Sequence, residues 1–166
     1  KTVMDGGRLR LNSAIFHTNW KDVPIYFPLQ GGALYALLNS GGTSTDGAEL
    51  GLTWIPNASW TLQFNGSYID AVYTRTEPGT NFHKVTPVFN VPKLQLTGSA
   101  AYNWPIGNSL YGIARTDVSH FSRRVTSSTA EGEPGDAITR VSARLGVESV
   151  QGWSAYLFGE NLTNEK

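Results

Sequence analysis

A side-chain alternation of period two runs through residues 60–71, WTLQFNGSYIDA, and constrains the fold more than any other feature of the chain. Trp60, Leu62, Phe64 and Tyr68 fall on one face of an extended strand, and Thr61, Gln63, Asn65 and Ser67 on the other, because successive side chains point to opposite sides. Residues 8–20, 47–54, 93–104, 110–119, 138–148 and 153–160 repeat the pattern with varying clarity. In 8–20 it starts with Leu9 and Leu11 against Arg8 and Arg10, then blurs at Ala14 to Phe16, where a bulge or a change of surroundings is expected. In 153–160, Tyr156 and Phe158 make the second face apolar as well. No stretch carries the 3.6-residue periodicity of a helix. The expected fold is all-β: an antiparallel up-and-down meander of about seven strands, preceded by the tail of another at Lys1 to Val3.

Either the apolar face is a protein core with water outside, or it meets lipid and the polar face lines a wet interior. Connection lengths point to the second. Residues 4–7, 55–59, 105–109 and 149–152 are short and rich in turn-forming Gly, Pro, Asn and Ser, whereas 21–46, 73–92 and 120–137 are long. Successive connections of a meander fall at opposite ends, so the short turns gather at one end and the long loops at the other, as in outer-membrane barrels. Four of the five tryptophans, Trp54, Trp60, Trp104 and Trp153, stand beside the short turns on the apolar face. Trp20 ends a strand on the long-loop side, near the level of Tyr68 and Tyr73. An aromatic girdle at each border is what a lipid-facing band carries. These strands also run close to the length that spans a bilayer when tilted.

Composition excludes several functions. The chain has no cysteine, so no disulfide scaffold, thiolate nucleophile or cysteine-based zinc site is available. Thirteen basic residues balance thirteen acidic ones, leaving no field to attract nucleic acid. No run is long and apolar enough for a spanning helix, a test that barrel strands always fail. The segment GGALYALLNSGG, 31–42, lacks the order of a phosphate-binding loop and is expected to extend a strand or fold inward. No spacing supports a catalytic constellation, a cofactor or a metal site.

The candidate sites follow from face and loop position. Glu49, Arg115, Asp117, Arg140, Arg144 and Glu148 fall on polar faces and are expected to line the lumen, the last five as pairs across adjacent strands. Phe82, His83, His120, Phe121, Arg123 and Arg124 fall in long connections. They are the candidate external contacts for a ligand, imidazole as a metal or metal-chelate contact and the arginine pair as a partner for an anion.

The stretches DGGRLRLNSAIFHTNWKDV (5–23), NSGGTSTDGAELGLTWIPNASWTLQFNGSYIDAVYT (39–74), VPKLQLTGSAAYNW (91–104) and WSAYLFGENLTNEK (153–166) together resemble the C-terminal part of the barrel of TonB-dependent outer-membrane receptors. The resemblance implies a barrel of about 22 strands with an N-terminal plug in its lumen. It further implies lipid of a Gram-negative outer membrane around the barrel, TonB acting through the plug, and a scarce substrate such as a ferric siderophore captured in loops and plug. Against that pattern the chain has no plug, lacks the upstream strands and stops before a closing strand. A receptor fragment is therefore expected. Two other readings stay open: a soluble β-sandwich binding carbohydrate on exposed aromatics, and a porin without a plug.

Overall fold

The computed structural model describes residues 1–29, 34–75, 83–125 and 134–165. Its strands are β1 (Thr2–Met4), β2 (Leu9–Leu29), β3 (Leu34–Trp54), β4 (Trp60–Tyr73), β5 (Leu94–Ile106), β6 (Leu110–Phe121), β7 (Arg124–Val125), β8 (Pro134–Gly135), β9 (Ile138–Ser149) and β10 (Ser154–Gly159). Eight of them form one sheet in the order β1-β2-β3-β4-β5-β6-β9-β10, every pair antiparallel, and β7 with β8 makes a separate two-stranded ladder. The eighth strand of the sheet is β1, at the position anticipated for a strand tail.

The register carries the alternation of each strand across the whole sheet. Leu11, Leu52, Phe64, Gly98, Val118 and Val141 are successive partners, forming one apolar row over six strands. One residue along, the row reads Asn12, Gly51, Asn65, Thr97, Ser119 and Arg140, which is polar throughout apart from its glycine. A slip of one residue in any strand would mix the rows, so burial of one face fixes the pairing. Hollows of about 440, 360 and 360 Å³ open among polar-row residues such as Asn12, Asn65, Thr97 and Arg140, so the sheet bends toward that side.

Among the described residues, no second sheet covers the apolar rows. Leu62, Phe64 and Leu96 are half-buried and Leu145 is 55% exposed, and among the described hydrophobic side chains only Ala71 and Tyr73 are buried. A soluble sandwich would seal these residues between two layers. That alternative is overturned.

The short turns follow from local chemistry. In 55–59 the Asn57 side-chain oxygen accepts from the amides of Ser59 (2.9 Å) and Trp60 (3.1 Å). At 150–153, Gly152 takes φ +89°, a left-handed conformation that favours glycine, and its amide donates to the Ser149 carbonyl at 3.0 Å.

The other end differs from the sequence reading. Residues 21–46 are not a loop: β2 and β3 stay paired from Leu9 with Trp54 to Leu29 with Leu34, so a long hairpin extends the wall and only 30–33 lies between the arms. Of the bulge or change of surroundings expected at Ala14 to Phe16, the bulge is absent, and the register instead shifts between Lys21 and Pro24, where Asp22 has φ +56°. The blur has another cause: Ile15 points to the apolar face, while the inward ring of Phe16 lies over Gly47 where a β-carbon would otherwise stand. Both faces are apolar there without any break in pairing. In 73–92, residues 85–88 run back along β4, with Val88 donating to the Ala71 carbonyl (2.9 Å) and Tyr73 to that of Thr86 (2.9 Å).

Candidate functional site

The polar face carries two zones. At mid-height on β6, Arg115 grips Asp117 with a fork, Nε to both carboxylate oxygens at 3.1 and 2.9 Å and Nη2 to Oδ1 at 2.6 Å. This pair lies two residues apart on one strand, not across strands as expected; directly opposite Arg115 stands Arg144, a like charge. Arg144 instead lies over the Tyr156 ring, 4.8 Å from its centroid, and the Tyr156 hydroxyl donates to Glu148. The outermost strand β10 thus supplies, through Tyr156, the partner for two charges of β9. Arg140 lines the hollow beside the Arg115–Asp117 fork, and Glu49 lines the 440 Å³ hollow together with Phe121.

The second zone lies at the long-connection end. Trp20, paired with Thr43, has the parity of Asn12, not of Leu9 and Leu11, so it stands on the polar face. This corrects its placement in an outward girdle. Thr43 in turn pairs with Tyr73, and the returning segment brings Val88 and Val91 over the same spot. The result is a hollow of about 260 Å³ lined by Trp20, Val23, Thr43, Thr45, Ile69, Ala71, Tyr73, Val88 and Val91. Tyr73 and Phe89 hold its roof, their ring centroids 5.7 Å apart. Tyr73, expected at the outward level of Tyr68, is therefore an inward, buried residue.

The other candidate contacts separate. His120 and Phe121 are the last residues of β6, not loop residues, and they face opposite ways. His120 pairs with Leu96 on the apolar side, where its Nδ1 is 2.8 Å from the Thr139 hydroxyl. His83 is exposed, its carbonyl accepting from Thr86 at 3.1 Å (amide) and 2.6 Å (hydroxyl). Arg123 is exposed, and Arg124 is strand-paired with Gly135. Phe82 lies outside the described residues.

On the apolar face the aromatics cluster at the short-turn end. The Trp60 and Tyr102 rings lie 4.7 Å apart, Tyr102 and Trp104 stack at 5.6 Å, and the Trp104 indole covers Gly112 of the next strand. Trp54 pairs with Leu62 on the same face, and Trp153 sits at the β9–β10 turn, half exposed. Along β4 the apolar run from Trp60 to Tyr68 covers roughly 27 Å of strand, or roughly 20 Å along the barrel normal at a tilt of about 40°. Polar groups begin beyond it: His17 bonded to Asp46 (2.7 Å) and Lys93 to Asp70 (2.6 Å). Lys93 lies outside the strands, and its hydrogen bond with Asp70 raises its pKa above the ordinary lysine value. An apolar band with aromatics at one border and ion pairs at the other is the cross-section of a membrane-embedded wall.

Known proteins agree with this cross-section. The family described as TonB dependent receptor-like, beta-barrel, matches residues 1–162. No curated protein matches the sequence significantly. Among solved structures, the chain superposes on the ferric yersiniabactin uptake receptor FyuA of Yersinia pestis with a TM-score of 0.78, at 18% identity over 96% of the chain and 23% of the receptor. BauA, the ferric preacinetobactin receptor of Acinetobacter baumannii, gives 0.69 at 21% identity, over 96% of the chain and 24% of the receptor. The siderophore receptor PiuA of the same organism gives 0.70 at 21% identity, over 96% and 22%. The chain therefore spans about a quarter of the length of these receptors. With an antiparallel wall that is lipid-like on one side and hydrophilic on the other, and a family match over nearly its whole length, the chain belongs to the TonB-dependent receptor β-barrels of the Gram-negative outer membrane.

Proposed function

We propose that the chain forms wall and external mouth of a receptor that takes ferric siderophores up across the outer membrane. The observation that carries the reading is the inward-facing hollow at the long-connection end, built from Trp20, Tyr73 and Val88 on a fold shared with three siderophore receptors. Long connections of such barrels face the outside, so this hollow meets a substrate before the lumen does. Glu49, Arg115, Asp117, Arg140, Arg144 and Glu148 line the lumen below it, where a plug docks, and TonB acts through that plug. Trp54, Trp60, Trp104 and Trp153 anchor the wall at the periplasmic border of the lipid.

The test is uptake of radioactive iron by iron-starved cells, comparing a strain deleted for the gene with the same strain carrying it on a plasmid, across ferric siderophores of several chemical classes. Uptake of at least one class disappears with the gene and requires TonB. Unchanged uptake of every ferric chelate, with loss of vitamin B12 or oligosaccharide uptake instead, would overturn the reading.

A further inference from the structure

Among the described residues, six other than glycine take a left-handed backbone conformation, and five of them are Asp or Asn, whose short polar side chains enter that region routinely. The sixth is Val85, at φ +74°. It occupies the third position of a tight turn, in which the Thr86 amide (3.1 Å) and hydroxyl (2.6 Å) both donate to the His83 carbonyl. A turn with positive φ at that position calls for glycine or asparagine, and a β-branched residue there is an outlier. The conflict sets the β-carbon of Val85 against its own peptide groups, so it is independent of whatever other strands and loops of a whole receptor stand nearby.

Backbone bonds hold the turn in place. The Val85 amide donates to the Tyr73 carbonyl (2.8 Å) and the Tyr73 amide to that of Thr86 (2.9 Å), while the Val88 amide donates to the Ala71 carbonyl (2.9 Å) and the Asn90 amide to that of Val125 (2.8 Å). We propose that residues 83–91 are a strap laid across the end of β4 against strain stored at Val85, so that it lifts from the wall more readily than a strap with glycine in that place. Strain of this kind persists only where the surrounding structure over-determines it, and it clusters at clamps and switch regions. Lifting the strap withdraws Val88 and Val91 from the hollow of about 260 Å³ and uncovers Tyr73, which packs against Phe89. The bond from Asn90 to Val125 carries the same movement to β7, so the connections after β4 and β6 open together.

The test is hydrogen exchange of the full receptor in lipid nanodiscs, without any chelate, read by mass spectrometry at the amides of Tyr73, Val88 and Asn90 under conditions where exchange reports the opening equilibrium. Glycine at position 85 removes the left-handed penalty but gains freedom in the lifted strap, and the first effect is the larger. Val85→Gly therefore slows exchange at the three amides about fivefold, the reverse of the loosening that glycine ordinarily brings to a loop. Val85→Ala trims the same side chain yet keeps a β-carbon, and with it most of the penalty, so exchange stays within about twofold of the parent. The two variants together separate strain from any contact that the Val85 methyls make. Heat-modifiable electrophoretic mobility verifies that both fold. Exchange in Val85→Gly as fast as in Val85→Ala, or faster, overturns the proposal; a slowing at Tyr73 and Val88 that leaves Asn90 unchanged overturns the coupling to β7. No chelate enters the measurement, so its result is independent of the ferric-siderophore reading.

Discussion

Phe64 and Asn65 are adjacent in sequence and face opposite media, so the same substitution at both tests the assignment of faces. Phe64 lies midway between Trp60 and Tyr68, at the centre of the apolar band, with Leu52 and Gly98 beside it. An arginine at the midplane of a barrel's lipid face costs about 2–4 kcal/mol, and loss of the phenyl ring adds about 1.5–3 kcal/mol. Phe64→Arg is therefore expected to destabilise by roughly 3.5–7 kcal/mol, and Phe64→Ala by the second part alone. Asn65 lines two open hollows on the polar face, where an arginine keeps its hydration, so Asn65→Arg should stay within about 0.5 kcal/mol. Urea titration of the whole receptor refolding into lipid vesicles, read by electrophoretic mobility and tryptophan fluorescence, measures both. Equal costs at the two positions, or a larger cost at Asn65, would refute the solvent assignment.

Three further substitutions probe local contacts. Gly112→Val puts side-chain atoms where the Trp104 indole lies, and overpacking of this kind is expected to destabilise by about 1–3 kcal/mol, with a shift in Trp104 emission that the same change at Gly98, where a β-carbon meets nothing closer than 3.9 Å, does not produce. Asp117→Asn weakens the fork to Arg115, but both side chains are over a third exposed, so urea titration should show a loss of no more than about 1 kcal/mol that shrinks with salt. The Asp70–Lys93 pair fastens the start of β5 to β4, and because the folded pKa of Lys93 is raised from 10.5, its stabilisation is fully present below that value and is lost as pH rises through the higher folded one. Protection of residues 83–93 from protease should therefore be flat through neutral pH and fall only at strongly alkaline pH; Lys93→Met should lack that step, and a loss near neutrality in the parent would exclude the pair as its cause.

Parity was enough to read the faces of β4, β5 and β9, because each strand keeps its alternation from end to end. It was not carried through to Trp20, which was placed by its level at the strand end, because the apolar pair Ile15 and Phe16 blurs the count. Kept unbroken from Leu9 and Leu11, the count puts Trp20 on the Arg10 side, where the structure has it. The hairpin above it was legible only in part, as the strand extension expected within 31–42, where β3 begins at Leu34. From Val23 to Leu38 the sequence has no charge, no alternation, two prolines and two glycines, so neither face is marked, and the pairing is held by backbone groups that composition does not report. The Arg115–Asp117 fork was in reach, since residues two apart on a strand share a face. The Tyr73 and Phe89 roof was not, because it depends on residues 85–88 folding back along β4, a long-range step that no local pattern encodes.

The distribution of burial shows where the hydrophobic effect acts in this chain. A domain stable in water closes its apolar rows between two layers. Here the row from Leu11 to Val141 has a single layer behind it, and among the described residues the two buried hydrophobic side chains, Ala71 and Tyr73, lie away from that row, at the mouth. The second layer is the lipid, and water leaves the apolar rows only when the wall enters it. In that setting the ladder holds the strands to one another while the hydrocarbon holds one face of the sheet. Residues of the polar face are then free of packing duty, and their partners within the wall, Asp117 for Arg115 and Tyr156 for Arg144, leave a lining that is hydrophilic yet locally balanced in charge. Trp20 and Phe158 put rings on that lining that are more than half exposed, and singly exposed rings of this kind are ordinary on a surface that water reaches.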